Sequence, residues 1–283
     1  MRTKNVFFLI IVCSVLLLQT GCGQVLNASV GGNVNAMETV NVEENALYEI
    51  TEADKDINGT NSTKVNLGEL QDEYFNITQS GTYSLSGSTS NSKIIVNVDD
   101  DQVVHLLLDG VELYSEEGPA IYAENAAKVV ITLVEGTENI VADGVNYMDE
   151  IKGCIFGNCD ITINGKGKLY VYGFYHDGIR SKDCLKIINA NISVKAKNNG
   201  VRGNDGVIIE DGTVDIQSEG IGIKTSSEKD FVAIKGGTCK IVAGENAVYS
   251  ENYVLIKECV TDFRTVEEEI HCNGEIYINE TEA

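Results

Sequence analysis

The chain has 283 residues, with 43 Asp and Glu against 21 Lys and Arg, for a net charge of −22. Nothing in that balance could neutralise a run of phosphates, so nucleic acid is excluded as a partner, while cations or a soluble, self-repelling surface role are favoured. The length allows one sizeable core plus appendages.

Arg2 and Lys4 precede an apolar run from Val6 to Leu18, which ends in Gln19-Thr20-Gly21-Cys22. A charged start, a short apolar core and a small residue before the cut describe an export signal over residues 1–22 rather than a spanning helix. Cysteine directly after Gly21 resembles the bacterial lipoprotein signal, with the usual Leu displaced by one to Leu18. That resemblance implies an acylated Cys22, membrane contact only through its lipid, and an extracellular, cell-surface location on a bacterium. Plain secretion is the alternative. Residues 23–64, rich in Asn, Glu, Gly, Ser and Thr without a sustained apolar period, read as a flexible tether.

From residue 65 to 258 one grammar recurs: a small residue, an aliphatic one, a turn, then an alternating strand. Its markers are Ala120-Ile121-Tyr122, Cys154-Ile155-Phe156, Gly178-Ile179-Arg180, Gly200-Val201-Arg202, Gly222-Ile223-Lys224 and Ala247-Val248-Tyr249, with steps of 34, 24, 22, 22 and 25 residues. After each marker the same parts follow in order. Asp183, Leu185-Lys186-Ile187, Ala190 and Ile192-Ser193-Val194 are echoed by Asp205, Val207-Ile208-Ile209, Gly212 and Val214-Asp215-Ile216. Such a period in an all-strand sequence predicts a solenoid, an all-β parallel β-helix in which like strands of successive turns pair about 4.8 Å apart. An antiparallel sandwich is the alternative. The longest step holds a polar insert, Asp143 to Lys152, as a bulging loop. Residues 259–283 lose the pattern and are expected to cap the coil, with Cys259 and Cys272 closing the acidic segment as a disulfide. Cys239, at an inward position, is expected to be a buried thiol.

In a stacked coil an alignment column becomes a line of side chains. One column is Cys159, Asp183, Asp205, Asp230 and Asn252; a second is Asp177, Asn199, Ile221 and Asn246. Carboxylates one strand spacing apart repel by about 3 kcal/mol at an effective dielectric of about 20. Calcium, which accepts oxygen ligands in loose geometry, would relieve this at Asp177, Asp183, Asn199 and Asp205. Turn formation is the other role for such residues, and the expected one for Asn246 and Asn252. A third column, Arg180, Arg202 and Lys224, faces outward and could grip the carboxylates of an acidic sugar chain or pair with the neighbouring acids. Tyr170, Tyr172, Phe174 and Tyr175 cluster nearby; Tyr175 is expected to stack on a sugar, and Tyr170 and Tyr172 to pack on the coil.

The run Tyr175-His176-Asp177-Gly178-Ile179-Arg180-Ser181-Lys182-Asp183, then Asn199-Gly200-Val201-Arg202-Gly203-Asn204-Asp205, and Gly118-Pro119-Ala120-Ile121-Tyr122 resemble the bacterial carbohydrate-binding-domain family related to pectate lyases. The resemblance covers residues 90–258 and implies a right-handed parallel β-helix that binds calcium and plant polysaccharides such as cellulose and polygalacturonate. Cys159, Ile221 and Tyr249 depart from the family pattern. The function expected is noncatalytic, calcium-dependent polysaccharide binding at the cell surface. The alternatives are a calcium-dependent lyase of uronic acid polymers, with Lys224, Arg202 or Lys182 as base, and a structural or adhesive surface lipoprotein. No residue is assigned a catalytic role.

Overall fold

A strand in which Val and Ile alternate with polar residues can bury only one face, so each turn of the repeat needs a neighbour above and below to close its core. In the computed structural model, which describes residues 48–70, 74–145, 147 and 151–279, the strands pair in parallel, segment over segment, in two sheets of nine and fourteen strands. The nine-stranded sheet takes one short strand from each turn. Phe75, Ile94, Ile121, Ile155, Ile179, Val201, Ile223, Val248 and Ile270 stand over one another along it in register. The fold is therefore an all-β parallel solenoid of about nine turns, and the antiparallel sandwich is excluded.

The larger sheet is bent. In the strand Cys184–Ala196, the segment before Asn189 pairs with Asp160–Asn164 and the segment after it with Lys168–Gly173. The bend is made by one or two residues per turn in the left-handed region: Gly165 (φ 96°), Asn189 (46°), Asp211 and Gly212 (58° and 84°), Gly236 and Gly237 (69° and 67°) and Glu258 (54°). Glycine, asparagine and aspartate take this conformation readily, whereas glutamate carries its steric cost. The corner divides the sheet into a first and a second wall, with the short sheet as the third side. Inside, one continuous apolar cluster runs from Val65 to Cys272.

Two expected boundaries move. Residues 48–64, assigned to the tether, are part of the folded body. Glu52–Lys55 is a short helix whose Thr51 cap and Asp54 form a capping box, and Thr63–Asn66 pairs with Gly81–Thr89. The reason lies on the first wall, whose outer face is not a solvent face. Lys128, Thr162 and Lys186 there are buried, as are Ile208, Ala233 and Leu255, the middle residues of three apolar triplets that break strict alternation. Asp54, itself buried, satisfies the polar members. Its Oδ1 accepts from Lys128 Nζ (2.6 Å) and Thr162 Oγ1 (2.6 Å), and its Oδ2 from Lys186 Nζ (2.9 Å) and the Thr51 amide (2.9 Å). Burial alone would raise the Asp54 pKa; those bonds outweigh it and hold the carboxyl well below the usual range. Tyr48 stacks on Phe231, ring centroids 5.6 Å apart, in the apolar cluster of the same wall.

At the other end, residues 259–279 of the expected cap are part of the coil. Val260–Thr265, Ile270–Cys272 and Glu275–Asn279 continue the coil in parallel register. The expected Cys259–Cys272 disulfide does not form. The two thiols meet the core from different walls, Cys259 Sγ donating to the Val260 carbonyl (3.6 Å) and Cys272 Sγ to that of Glu275 (3.5 Å). Cys239 is a buried thiol, as expected, and burial pushes its pKa up. The export signal with Cys22, the tether as far as residue 47, and Asp149 and Glu150 of the insert lie outside the described residues.

Candidate functional site

The third side of the coil is built from strands of two to five residues, none longer than three from Ile155 onward. In Ile179-Arg180-Ser181 the outer two are buried, so Arg180 must point out. Parallel pairing repeats this turn after turn and produces one outward file: Tyr122, Phe156, Arg180, Arg202, Lys224, Tyr249 and His271. The three expected cations are thus neighbours at one strand spacing, about 4.8 Å. The aromatic residues that bracket them were visible as the third members of the marker triplets, but reading them as one column required the register.

Three like charges in file repel, and their surroundings answer this. The Arg180 guanidinium lies 5.8 Å from the Phe156 ring centre at one end, and Lys224 Nζ 5.2 Å from that of Tyr249 at the other. Contacts of this kind are worth about 0.5–2 kcal/mol. Tyr249 is backed in turn by His271, stacked at 4.9 Å and 10°. The Tyr249 hydroxyl donates to Glu251 Oε1 (2.6 Å), which with burial and the Glu251 charge pushes its pKa up to about 12. Arg202, in the middle, donates from Nη2 to Ser226 Oγ (3.0 Å); burial and Arg180 lower its pKa.

Beneath Arg180 sits a buried anion. Asp177 Oδ1 accepts from His176 Nδ1 (2.8 Å), Asn198 Nδ2 (3.0 Å), the Asn199 amide (3.1 Å) and Asn199 Nδ2 (2.8 Å). Its Oδ2 lies 3.8 Å from Arg180 Nη1. Burial would raise this acid; the hydrogen bond and charge of His176, with the bonds from Asn199 and Asn198, hold it below the ordinary range. Tyr175 is not in the file. Its ring packs 4.0 Å from that of Tyr147, and its amide approaches Asp143 Oδ1 at 3.4 Å. Asp143 is pushed up to about 6 by burial, against hydrogen bonds from the Tyr147 hydroxyl (3.0 Å) and the Phe174 amide (2.6 Å).

The four residues expected to share calcium separate into two pairs. Asp177 and Asn199 flank one end of the strand Ile179–Ser181, and Asp183 and Asp205 flank the other. Their chemistry differs. Asp177 Oδ1 is filled by N–H donors, while its buried Oδ2 accepts no hydrogen bond and faces the Arg180 guanidinium at 3.8 Å. Asp183 is raised by burial and by the charges of Asp160 and Asp205, a strain that a cation would remove. The same column then changes role: Asp230 Oδ1 accepts from Ser250 Oγ (2.9 Å) and the Asn252 amide (2.9 Å), and its Oδ2 from the Glu251 amide (3.2 Å), so it holds a turn. Asn246 donates to the Glu268 carbonyl (2.9 Å), the structural role expected of it. Among the described residues no three His, Cys, Asp or Glu side chains are grouped to hold a metal. Of the residues weighed as a lyase base, Lys182 is exposed and Lys224 lies against Tyr249.

Comparison with known proteins agrees with this architecture. The chain is 36% identical over 126 residues to a carbohydrate-binding domain-containing protein of Acetivibrio thermocellus, spanning 42% of this chain and 44% of that relative. It thus matches less than half of the relative's length. The solved structure of a polysaccharide lyase-like protein from C. thermocellum, a gadolinium derivative, superposes with a TM-score of 0.71 at 33% identity, covering 75% of this chain and 89% of the other. The profile of carbohydrate-binding domain-containing proteins matches residues 71–281, and the chain belongs to that family.

Proposed function

We propose that the outward file binds an extracellular polysaccharide bearing carboxylates and holds it without cleaving it. The observation that carries this reading is the stack of Arg180, Arg202 and Lys224 in register on an acidic protein, bracketed by Phe156 and Tyr249. A chain lying along the solenoid axis would meet one cation per strand spacing, and the planar guanidinium suits a carboxylate. Binding rather than cleavage is favoured because His176 beside the file is engaged with Asp177, Lys224 within it lies against Tyr249, and Lys182 is exposed to solvent with nothing to desolvate it as a base. In this reading the protein is held outside the cell through a lipid at Cys22, and calcium sits with Asp183 and Asp205 rather than with Asp177 and Asn199. The related solved structure is a gadolinium derivative, and gadolinium, like calcium, is a hard cation that takes oxygen ligands.

Affinity electrophoresis in polygalacturonate, with and without calcium, tests the proposal. Retardation of the wild type, weakened about tenfold or more in the Arg180→Ala/Arg202→Ala double variant, is expected. Equal retardation of both proteins, or none of the wild type, would remove the file from the function. Steady release of unsaturated, ultraviolet-absorbing product would replace the binder by a lyase.

A further inference from the structure

The second wall carries a feature that the file does not explain. In Lys168–Gly173, Leu169 and Val171 are buried, so Tyr170, Tyr172 and, just past the strand, Phe174 point outward on one face. Parallel pairing sets Ile140 beside Tyr170 and Ala142 beside Tyr172, with Tyr114 beyond Ala142. Phe174 is 47% exposed and Ile140 37%, while the three tyrosines are partly exposed. The Tyr172 and Phe174 rings are nearly parallel, 15° apart, with centroids at 5.9 Å. At that separation parallel rings are offset rather than superposed, which leaves ring surface open to solvent.

Packing on the coil, the role expected for Tyr170 and Tyr172, leaves this exposure unaccounted for. The charges around the patch balance: Lys168 pairs with Glu138 (2.8 Å), and Lys195 borders Tyr172 as Glu112 borders Ile140. A polyanion finds no cation file here. A sugar ring presents a flat C–H face and a rim of hydroxyls, which match aromatic rings and phenol groups on a flat sheet. The corner at residues 175–178 separates this wall from the side that bears Arg180.

We propose that the second wall is a separate binding site, with Tyr170, Tyr172 and Phe174 as its platform, for the flat face of an uncharged polysaccharide chain. One molecule then holds two chemically different chains at once. This goes beyond the charged-chain reading of the file and does not depend on it.

The test uses sedimentation with an insoluble uncharged β-glucan and electrophoresis in polygalacturonate, run on the wild type, Tyr170→Ala/Tyr172→Ala/Phe174→Ala, the milder Phe174→Ser and Tyr172→Phe, and Arg180→Ala/Arg202→Ala. Expected is retention of the wild type on the glucan, about tenfold weaker in the triple variant and detectably weaker in Phe174→Ser, but intact in Tyr172→Phe and in the arginine variant. Circular dichroism checks folding; if the triple variant unfolds, Phe174→Ser decides, because its ring is already exposed. Wild type that is not retained by the glucan overturns the proposal, as does unchanged retention of Phe174→Ser and the folded triple variant. So does loss of glucan binding in the arginine variant, which would mean one site rather than two. If glucan binding follows the aromatic residues while polygalacturonate is ignored, this site stands and the reading of the file falls.

Discussion

Replacing Asp54 with alanine removes the carboxylate that receives two ammonium groups at 2.6 and 2.9 Å, Lys128 and Lys186, whose side chains are only 11% and 7% exposed. Thr162 Oγ1 and the Thr51 amide lose their acceptor as well. Both lysines must then lose a proton, rearrange into water or remain as uncompensated buried charges, and removal of one partner from such a pair costs about 3–5 kcal/mol. For a folded body of this size that is a drop in Tm of roughly 6–20 °C, at about 2–4 °C per kcal/mol. Urea unfolding at pH 7 gives the free energy directly, and a control separates charge from packing. Asp54→Ala/Lys128→Met/Lys186→Met, which removes the stranded charges with the carboxylate, should recover most of the loss. An Asp54→Ala protein within about 1 kcal/mol of the wild type would refute the argument that this carboxylate fastens residues 48–58 to the first wall. The pH dependence has a fixed sign: the Asp54 pKa is depressed, so its contribution is present above the unfolded value of 3.8 and fades as pH falls below it.

Asp143 should behave in the opposite way, because burial raises it from 3.8 to about 6. Its contribution is complete below the unfolded pKa and is lost as pH rises through about 6, so Asp143→Asn should gain on the wild type by up to about 3 kcal/mol between pH 4 and 8; parallel stability curves would reject this. Gly212 adopts φ 84°, and a Cβ there would fall 2.1 Å from the Ala190 carbonyl oxygen, so Gly212→Ala should cost at least about 2 kcal/mol. Glu258→Gly, at φ 54°, should gain up to about 1 kcal/mol, and urea midpoints that fail to move in these opposite directions would refute the corner argument. Calcium should raise the Tm of the wild type relative to chelator, and Asp183→Asn/Asp205→Asn should abolish that rise while Asp177→Asn keeps it; no rise in the wild type would remove calcium from the function.

What the sequence revealed depended on repetition. Turn length, inward aliphatic residues and the register of Arg180, Arg202 and Lys224 were readable because each recurs at a fixed place within the period. The last turn escaped because Glu269 stands where the marker has a small residue before its aliphatic partner, here Ile270. Residues 48–58 escaped for a different reason: they are held by contacts from Tyr48, Asp54 and the Glu49 and Asp56 carbonyls to strands far away in sequence, which no periodicity records. Two local signs were present, the Thr51 to Asp54 capping pair and the triplets Val207-Ile208-Ile209, Val232-Ala233-Ile234 and Val254-Leu255-Ile256, whose outward middle residue calls for cover. The expected metal set divides because Asp177 and Asn199 precede the marker and Asp183 and Asp205 follow it, so the register sets the two pairs at opposite ends of each short strand.

The placement of Asp54 also determines how the body would bear a mechanical load. Its contacts reach Lys128, Thr162 and Lys186 on three successive turns, and Tyr48 reaches Phe231 further along the same wall. A pull on the chain ahead of residue 48 is therefore shared among several rungs before any two are prised apart, so the coil would be dragged as a unit rather than unwound from its first turn.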